Sequence, residues 1–178
     1  MLKFITFRWY AFPIILICGL GYYFFCYLWL SPLTTVILVR HGDRTGEELN
    51  DLGLARAQEL KRVLSASNIT TIYASNINRT QQTAQPLATQ LGLQLHIYNL
   101  NNLQTELVDD IKLHHRGEVI LVVGHSNTVS PTIGMLGISP APPPLIPDGE
   151  FDNLYVVTFG RKVVSKLVQM KYGAHTPL

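Results

Sequence analysis

Val36-Ile37-Leu38-Val39-Arg40-His41-Gly42-Asp43 is the stretch that decides the fold. Thr35 to Val39 is an unbroken β-branched and aliphatic run, with no polar residue at alternate positions. Such a run marks a strand covered on both faces, the kind that parallel sheets place between two layers of helices. It ends abruptly in a polar loop, Arg40 to Asn50. A second apolar run, Val119 to Val123, leads in the same way into Gly124-His125-Ser126-Asn127. In open α/β folds the loops at the carboxyl ends of strands carry the ligand site. His41 and His125 are therefore expected at one edge of one sheet.

The segments around these two strands alternate between the helical and the extended period. Leu54, Ala57, Leu60, Val63 and Leu64 share one face at steps of three and four, with Arg56, Gln58, Glu59 and Arg62 off that face, which predicts an amphipathic helix. A strand is expected over Ile69 to Ala74, a helix from Asn78 to Leu91 ended by Gly92, and a strand over Leu93 to Tyr98. Leu103, Leu107 and Ile111 predict a helix that stops near Gly117, and Ser126 to Leu136 a short one. Ser139 to Pro147 holds five prolines and reads as an extended loop. Leu154 to Phe159 and Val163 to Met170 flank Gly160-Arg161-Lys162 as a closing hairpin. The pattern predicts a three-layer α/β/α sandwich on a mostly parallel sheet.

A third strand delivers Ser75 to the same edge, and Arg79 follows four positions later. Two imidazoles and two guanidiniums, Arg40 and Arg79, thus converge. A guanidinium is a planar fork of donors that matches phosphate oxygens two at a time, and a neutral imidazole is a competent nucleophile near neutral pH. The collection suits phosphoryl transfer without a metal ion or other cofactor. His114 and His115, adjacent on a helix, diverge by about 100° and read as a solvated helix end. Asp148, Glu150 and Asp152 read as loop-solvating charges.

Arg40-His41-Gly42 resembles the RHG motif of the histidine phosphatase superfamily, whose fold is phosphoglycerate mutase-like. Tyr73-Ala74-Ser75-Asn76-Ile77-Asn78-Arg79-Thr80-Gln81-Gln82-Thr83-Ala84 resembles that family's Y-S-S-P-L-x-R-A-x-Q-T-A element, Val123-Gly124-His125-Ser126 its second-histidine motif, and Leu49 to Leu60, with Gly53, Arg56 and Ala57, its first helix. The resemblance implies that His41 becomes phosphorylated, that Arg40 and Arg79 bind the phosphoryl group, and that His125 stabilises it in transfer. Asn76 replaces the usual proline, and Asp43-Arg44 the commoner Glu-Thr; Arg44 becomes an additional substrate cation. Expelling an alkoxide needs a proton donor. Glu106, at about the family's usual distance after Arg79, is the first candidate and Asp43 the second. The expected activity is that of a histidine acid phosphatase-type phosphomonoesterase on a broad or macromolecular phosphorylated substrate. Mutase activity is disfavoured, because a domain this small leaves the cleft open to water. The alternative is a membrane-tethered module that recognises phosphate without turnover.

The 178 residues allow one domain plus a short segment, and residues 35–178 form the expected domain. Trp9 to Leu30 is a run of 22 residues without charge, and at about 1.5 Å per residue it spans the roughly 30 Å of a bilayer core. Residues 9–30 are therefore expected to form a transmembrane signal anchor, with 1–8 on the cytoplasmic side and 31–34 as linker. The run exceeds a cleaved signal's apolar region and lacks a small-x-small site. Lys3 and Arg8 precede it and no basic residue follows until Arg40, which places the catalytic domain outside the cytoplasm, on the periplasmic or extracellular side. Cys18 and Cys26 both lie within the run. Setting Lys3 and Arg8 aside leaves 12 basic residues against 12 acidic ones, a balance that gives nucleic acid no basic surface.

Overall fold

The structure is a computed structural model that describes residues 18–23, 25, 32–139, 145–161 and 163–174. It divides into two units, residues 1–32 and residues 33–178. In the first, residues 18–23 and 25 are helical and exposed. The rest of the expected transmembrane helix at 9–30 lies outside the described residues. Among the described residues no helix is long and apolar enough to cross a membrane, so that expectation finds no support here.

The second unit is built on a six-stranded sheet. In chain order it contains β1 (Thr34–Arg40), β2 (Arg44–Thr45), β3 (Glu48–Leu49), α1 (Asp51–Leu64), β4 (Ile69–Ser75), α2 (Asn78–Leu91) and β5 (Leu95–Tyr98). A 3-10 turn (Leu100–Asn102), a π-helix (Leu103–Asp109), α3 (Asp110–His114), β6 (Val119–Gly124), α4 (Ser126–Met135), β7 (Asn153–Gly160) and β8 (Val163–Lys171) complete it. The sheet order is β5-β4-β6-β1-β7-β8. The first four strands are parallel, and the closing hairpin adds β7 antiparallel to β1 and β8 antiparallel to β7.

This order fixes where the helices lie. Parallel crossovers are right-handed, so successive moves in one direction put their helices on one face and a return puts its helix on the other. The steps β1 to β4 to β5 run one way, and the step from β5 to β6 returns. Accordingly α1 and α2 pack Leu60, Leu64, Ala84 and Leu87 on Ile37, Val39, Leu121 and Val123. The π-helix, α3 and α4 pack Leu107, Val108, Ile111, Val129 and Ile133 on Val36, Leu38, Ile120 and Val122. Alternate residues of β1 and β6 thus serve two cores, which is why Val36–Val39 and Val119–Val123 are apolar at every position.

Local differences from the sequence reading have identifiable causes. Leu54 is 49% exposed, whereas Arg56 is 6% exposed. The inward face of α1 is rotated because Gly53 meets the loop after β1. A Cβ on Gly53 would lie 2.0 Å from the Asp43 carbonyl oxygen, and only glycine permits that approach. Arg56 then reaches Asp43, its Nε donating to Oδ2 at 2.7 Å. The expected helix from Leu103 is wound as a π-helix. Its i→i+5 pattern brings Val108 inward beside Leu107 and Ile111. Gly92 ends α2 in the left-handed conformation (φ 67°), as its placement after Leu91 suggests. Most of the proline-rich loop, residues 140–144, lies outside the described residues.

Candidate active site

In the β1–β6 ladder Arg40 stands opposite Gly124, so His41 and His125 leave the sheet side by side. The His41 N–H donates to the Gly124 carbonyl at 3.0 Å, which extends the ladder by one bond. Adjacent strands diverge here, since β1 continues to α1 on one face and β6 to α4 on the other. The crevice between them is the place where such sheets take ligands.

The imidazole centroids of His41 and His125 are 5.2 Å apart. Both residues are buried, at 2% and 5% exposure. The His41 Nδ1 lies 2.8 Å from the Gly42 carbonyl oxygen. A carbonyl only accepts, so Nδ1 carries the proton and Nε2 keeps a lone pair. Gly42 is held in turn: its N–H donates to Thr83 Oγ1 at 2.9 Å. Burial pushes the His41 pKa down to about 3 despite the Gly42 bond, and the positive charges of Arg40 and Arg79 act in the same direction. Burial, then Arg79 and Arg40, lower His125 to about 4. Both imidazoles are neutral at pH 7.

Hydrogen bonds also fix the tautomer of His125. Arg79 Nη2 is 3.4 Å from Nδ1, and a guanidinium only donates, so Nδ1 is the acceptor. Nε2–H then donates to Ser75 Oγ at 2.9 Å, and Ser75 Oγ lies 2.9 Å from Thr80 Oγ1. Thr80 Oγ1 donates to the Ile77 carbonyl at 2.7 Å, which leaves Ser75 to donate to Thr80. The His125 N–H donates to Thr128 Oγ1 at 2.8 Å, tying the histidine to the first turn of α4.

The structure brings together His41, His125, Arg40 and Arg79, and places the other expected residues differently. Arg40 Nη1 donates to the carbonyls of Pro147, Asp148 and Glu150 at 2.8, 2.8 and 3.0 Å, and its guanidinium carbon sits 4.2 Å above the Phe151 ring centroid. Arg40 therefore fastens the loop that leads into β7. Among the described residues the Nε atoms of Arg40 and Arg79 are buried with no hydrogen-bond partner. Arg44 is exposed, donates from Nη1 to the Gly46 carbonyl at 2.8 Å, and reaches His125 through its charge alone. Glu106 accepts from the Asn99 N–H at 2.7 Å and from Asn102 Nδ2 at 2.6 Å. The Asn102 and Asn99 bonds hold its pKa below the usual carboxylate value, and a carboxyl so held stays ionised, the opposite of what a proton donor needs. Asp43 is spent on Arg56.

Two contributors, Phe151 and Glu47, lie outside the sequence reading, and a third, Ser75, is placed by it only at the edge. Phe151, whose ring centroid is 5.8 Å from that of His41, carried no signal, because it follows a proline-rich loop and reaches the site only when that loop folds back. Ser75 stands at the end of β4, as its sequence predicts, and its bond to His125 depends on the β4–β6 pairing. Glu47, whose Oε2 accepts from Arg79 Nη1 at 3.0 Å, lay in a stretch read as plain loop. Asp152, expected to solvate its loop, is buried and accepts from Lys171 Nζ at 2.8 Å.

No curated protein sequence matches the chain. The sequence model of the histidine phosphatase superfamily, branch 1, matches residues 36–104. Solved structures with the same fold include a mycobacterial glucosyl-3-phosphoglycerate phosphatase in complex with VO3, at 14% identity and a TM-score of 0.61, covering 78% of this chain and 99% of that one. A candidate phosphohistidine phosphatase, SixA, from Nakamurella multipartitia shares 18% identity with a TM-score of 0.56, covering 81% and 99% of the two chains. A phosphoglycerate mutase from Plasmodium falciparum shares 18% identity with a TM-score of 0.51, covering 83% and 95%. The match over β1 to the π-helix and the shared α/β architecture with its mostly parallel sheet together support a histidine phosphatase superfamily domain.

Proposed function

We propose that the chain is a phosphomonoester hydrolase that works through a phosphohistidine on His41 Nε2 and needs no metal ion. The observation that carries this reading is the pairing of a buried, neutral imidazole, its Nδ1–H locked on Gly42 and its Nε2 lone pair available, with His125 and Arg79 at one sheet edge. A phosphoryl group taken by the Arg79 fork meets Nε2 on one side. The P–N bond forms as the ester P–O bond breaks, and water later attacks phosphorus and restores the imidazole. Charge on the equatorial oxygens is met by Arg79, which His125 Nδ1 orients, and by the field of Arg40, which makes catalysis mainly electrostatic. Arg44 lies outside this inner set and meets the substrate at the rim.

The test is hydrolysis of p-nitrophenyl phosphate by the full-length chain in EDTA, beside His41→Ala. Turnover that His41→Ala removes is expected, with a labelled, acid-labile phosphoenzyme in the parent protein. Turnover that survives His41→Ala contradicts the mechanism.

One observation favours the binding-module reading: the two carboxyls expected to donate the proton, Glu106 and Asp43, are both engaged elsewhere. Phosphate binding without turnover in the same assay would select it. Membrane tethering through residues 9–30, with the domain outside the cytoplasm, is part of the proposal and rests on the uncharged 22-residue run and on Lys3 and Arg8 before it.

A further inference from the structure

Proton donation is the step for which the expected residues do not serve: both Glu106 oxygens are bonded at the Asn99–Asn102 turn, and Asp43 is paired with Arg56. We propose that Glu47, at the tip of the β2–β3 ribbon, is the proton donor to the leaving group, an inference that rests on the phosphatase reading above.

The ribbon is built to hold a carboxyl at this place. Glu48 Oε1 accepts from Asn78 Nδ2 at 2.9 Å, and the Leu49 N–H donates to Gln82 Oε1 at 3.0 Å, so the second arm is fastened to α2. The Gly46 carbonyl accepts from Arg44 Nη1, which steadies the turn. Glu47 projects from that turn onto Arg79, the residue of α2 that opens the phosphoryl cradle. Arg79 offers Nη1 to Glu47 and Nη2 to His125, so a phosphoryl group on this fork lies between the two.

Direction then selects the acid. In-line displacement puts the leaving oxygen opposite the attacking nitrogen. His41 attacks from the buried side, which turns the leaving group toward solvent, and the Glu47 side chain is 78% exposed on that open side. An entering phosphoryl dianion takes the Arg79 fork from Glu47. The displaced carboxyl then lies on the open side from which the leaving group departs. As the P–N bond forms and the ester P–O bond breaks, the leaving oxygen takes the Glu47 proton. The resulting carboxylate removes a proton from the water that attacks phosphohistidine, and inorganic phosphate and the starting carboxyl are restored together.

Only a poor leaving group needs this proton, so the experiment compares two esters in the full-length chain. In Glu47→Gln the kcat/KM for glycerol 2-phosphate is expected to fall by about 100-fold or more, while that for p-nitrophenyl phosphate stays within about threefold. The substitution keeps a hydrogen-bonding side chain of the same size at a position that is 78% exposed, where an ion pair adds little to stability. An equal fall on both esters, no change on either, or a rise on both (the sign of simple competition between Glu47 and phosphate for Arg79) overturns the inference. So does a parent protein that hydrolyses only the nitrophenyl ester. A parent protein that hydrolyses neither sinks the phosphatase reading itself.

Discussion

At the scale of the residue, the controlling fact is that both site imidazoles are kept neutral by burial beside guanidiniums. Their native pKa values, about 3 for His41 and about 4 for His125, lie below the ordinary 6.5 of an unfolded chain. Between those values the unfolded state binds more protons than the native one, so stability rises with pH through this window and is lost as pH falls. The carboxylates held low in the native state, Glu106 and Glu118 among them, join only around and below their ordinary 4.5. Thermal melts are thus expected to show the midpoint falling from pH 6.5 toward 4.5, with a shallower fall in His41→Gln. An equal slope in the variant would show that His41 is not held neutral. Ser75 acts at the same scale. Its hydroxyl accepts the hydrogen of His125 Nε2, and Ser75→Ala, which leaves that buried N–H without its acceptor, should lower kcat for p-nitrophenyl phosphate by about tenfold and stability by about 1–3 kcal/mol.

At the scale of the element, the contact of α1 with the loop after β1 governs the site. Gly53 lets the helix touch that loop, and the Asp43–Arg56 pair at 2.7 Å locks the contact. Arg56 also donates to the Tyr172 and Ala174 carbonyls at 3.3 and 3.1 Å, which ties the segment after β8 to the same point. Removing one partner leaves a buried charge uncompensated, so Asp43→Ala should cost about 3–5 kcal/mol in urea denaturation. Gly53→Ala should cost about 1–3 kcal/mol by forced displacement of the loop and should lower turnover as well. The opposite face holds a network that the sequence did not disclose. The His115 Nδ1 lies 2.9 Å from Glu118 Oε2 and its Nε2 2.9 Å from the Tyr73 hydroxyl, which also bonds Asp110. The sequence placed His115 at a solvated helix end; α3 instead stops at His114, and the chain turns His115 inward onto β4.

At the scale of the whole molecule, the two cores and the site all draw on residues between Thr34 and Tyr172. Deleting residues 1–32 should leave the melting midpoint and the turnover of p-nitrophenyl phosphate unchanged. The full-length chain should sediment with membranes and the deleted form should not; equal partitioning of both would remove the anchor from the proposal.

The sequence by itself determined the layers and the edge. Continuous apolar runs can be satisfied only between two helical sheets of cover, and each such run ended at a histidine. It also marked Arg79, because helix and strand periods change at a visible boundary. Only the tertiary structure decided which polar groups are already engaged: Arg40 on the carbonyls of Pro147, Asp148 and Glu150, Glu106 on Asn99 and Asn102, Asp43 on Arg56, Glu47 on Arg79. Periodicity reports which face of an element is buried, a property of neighbours in sequence. A hydrogen bond between residues 107 positions apart, as in Arg40 to Pro147, depends on how loops close over the sheet, and no local pattern records that.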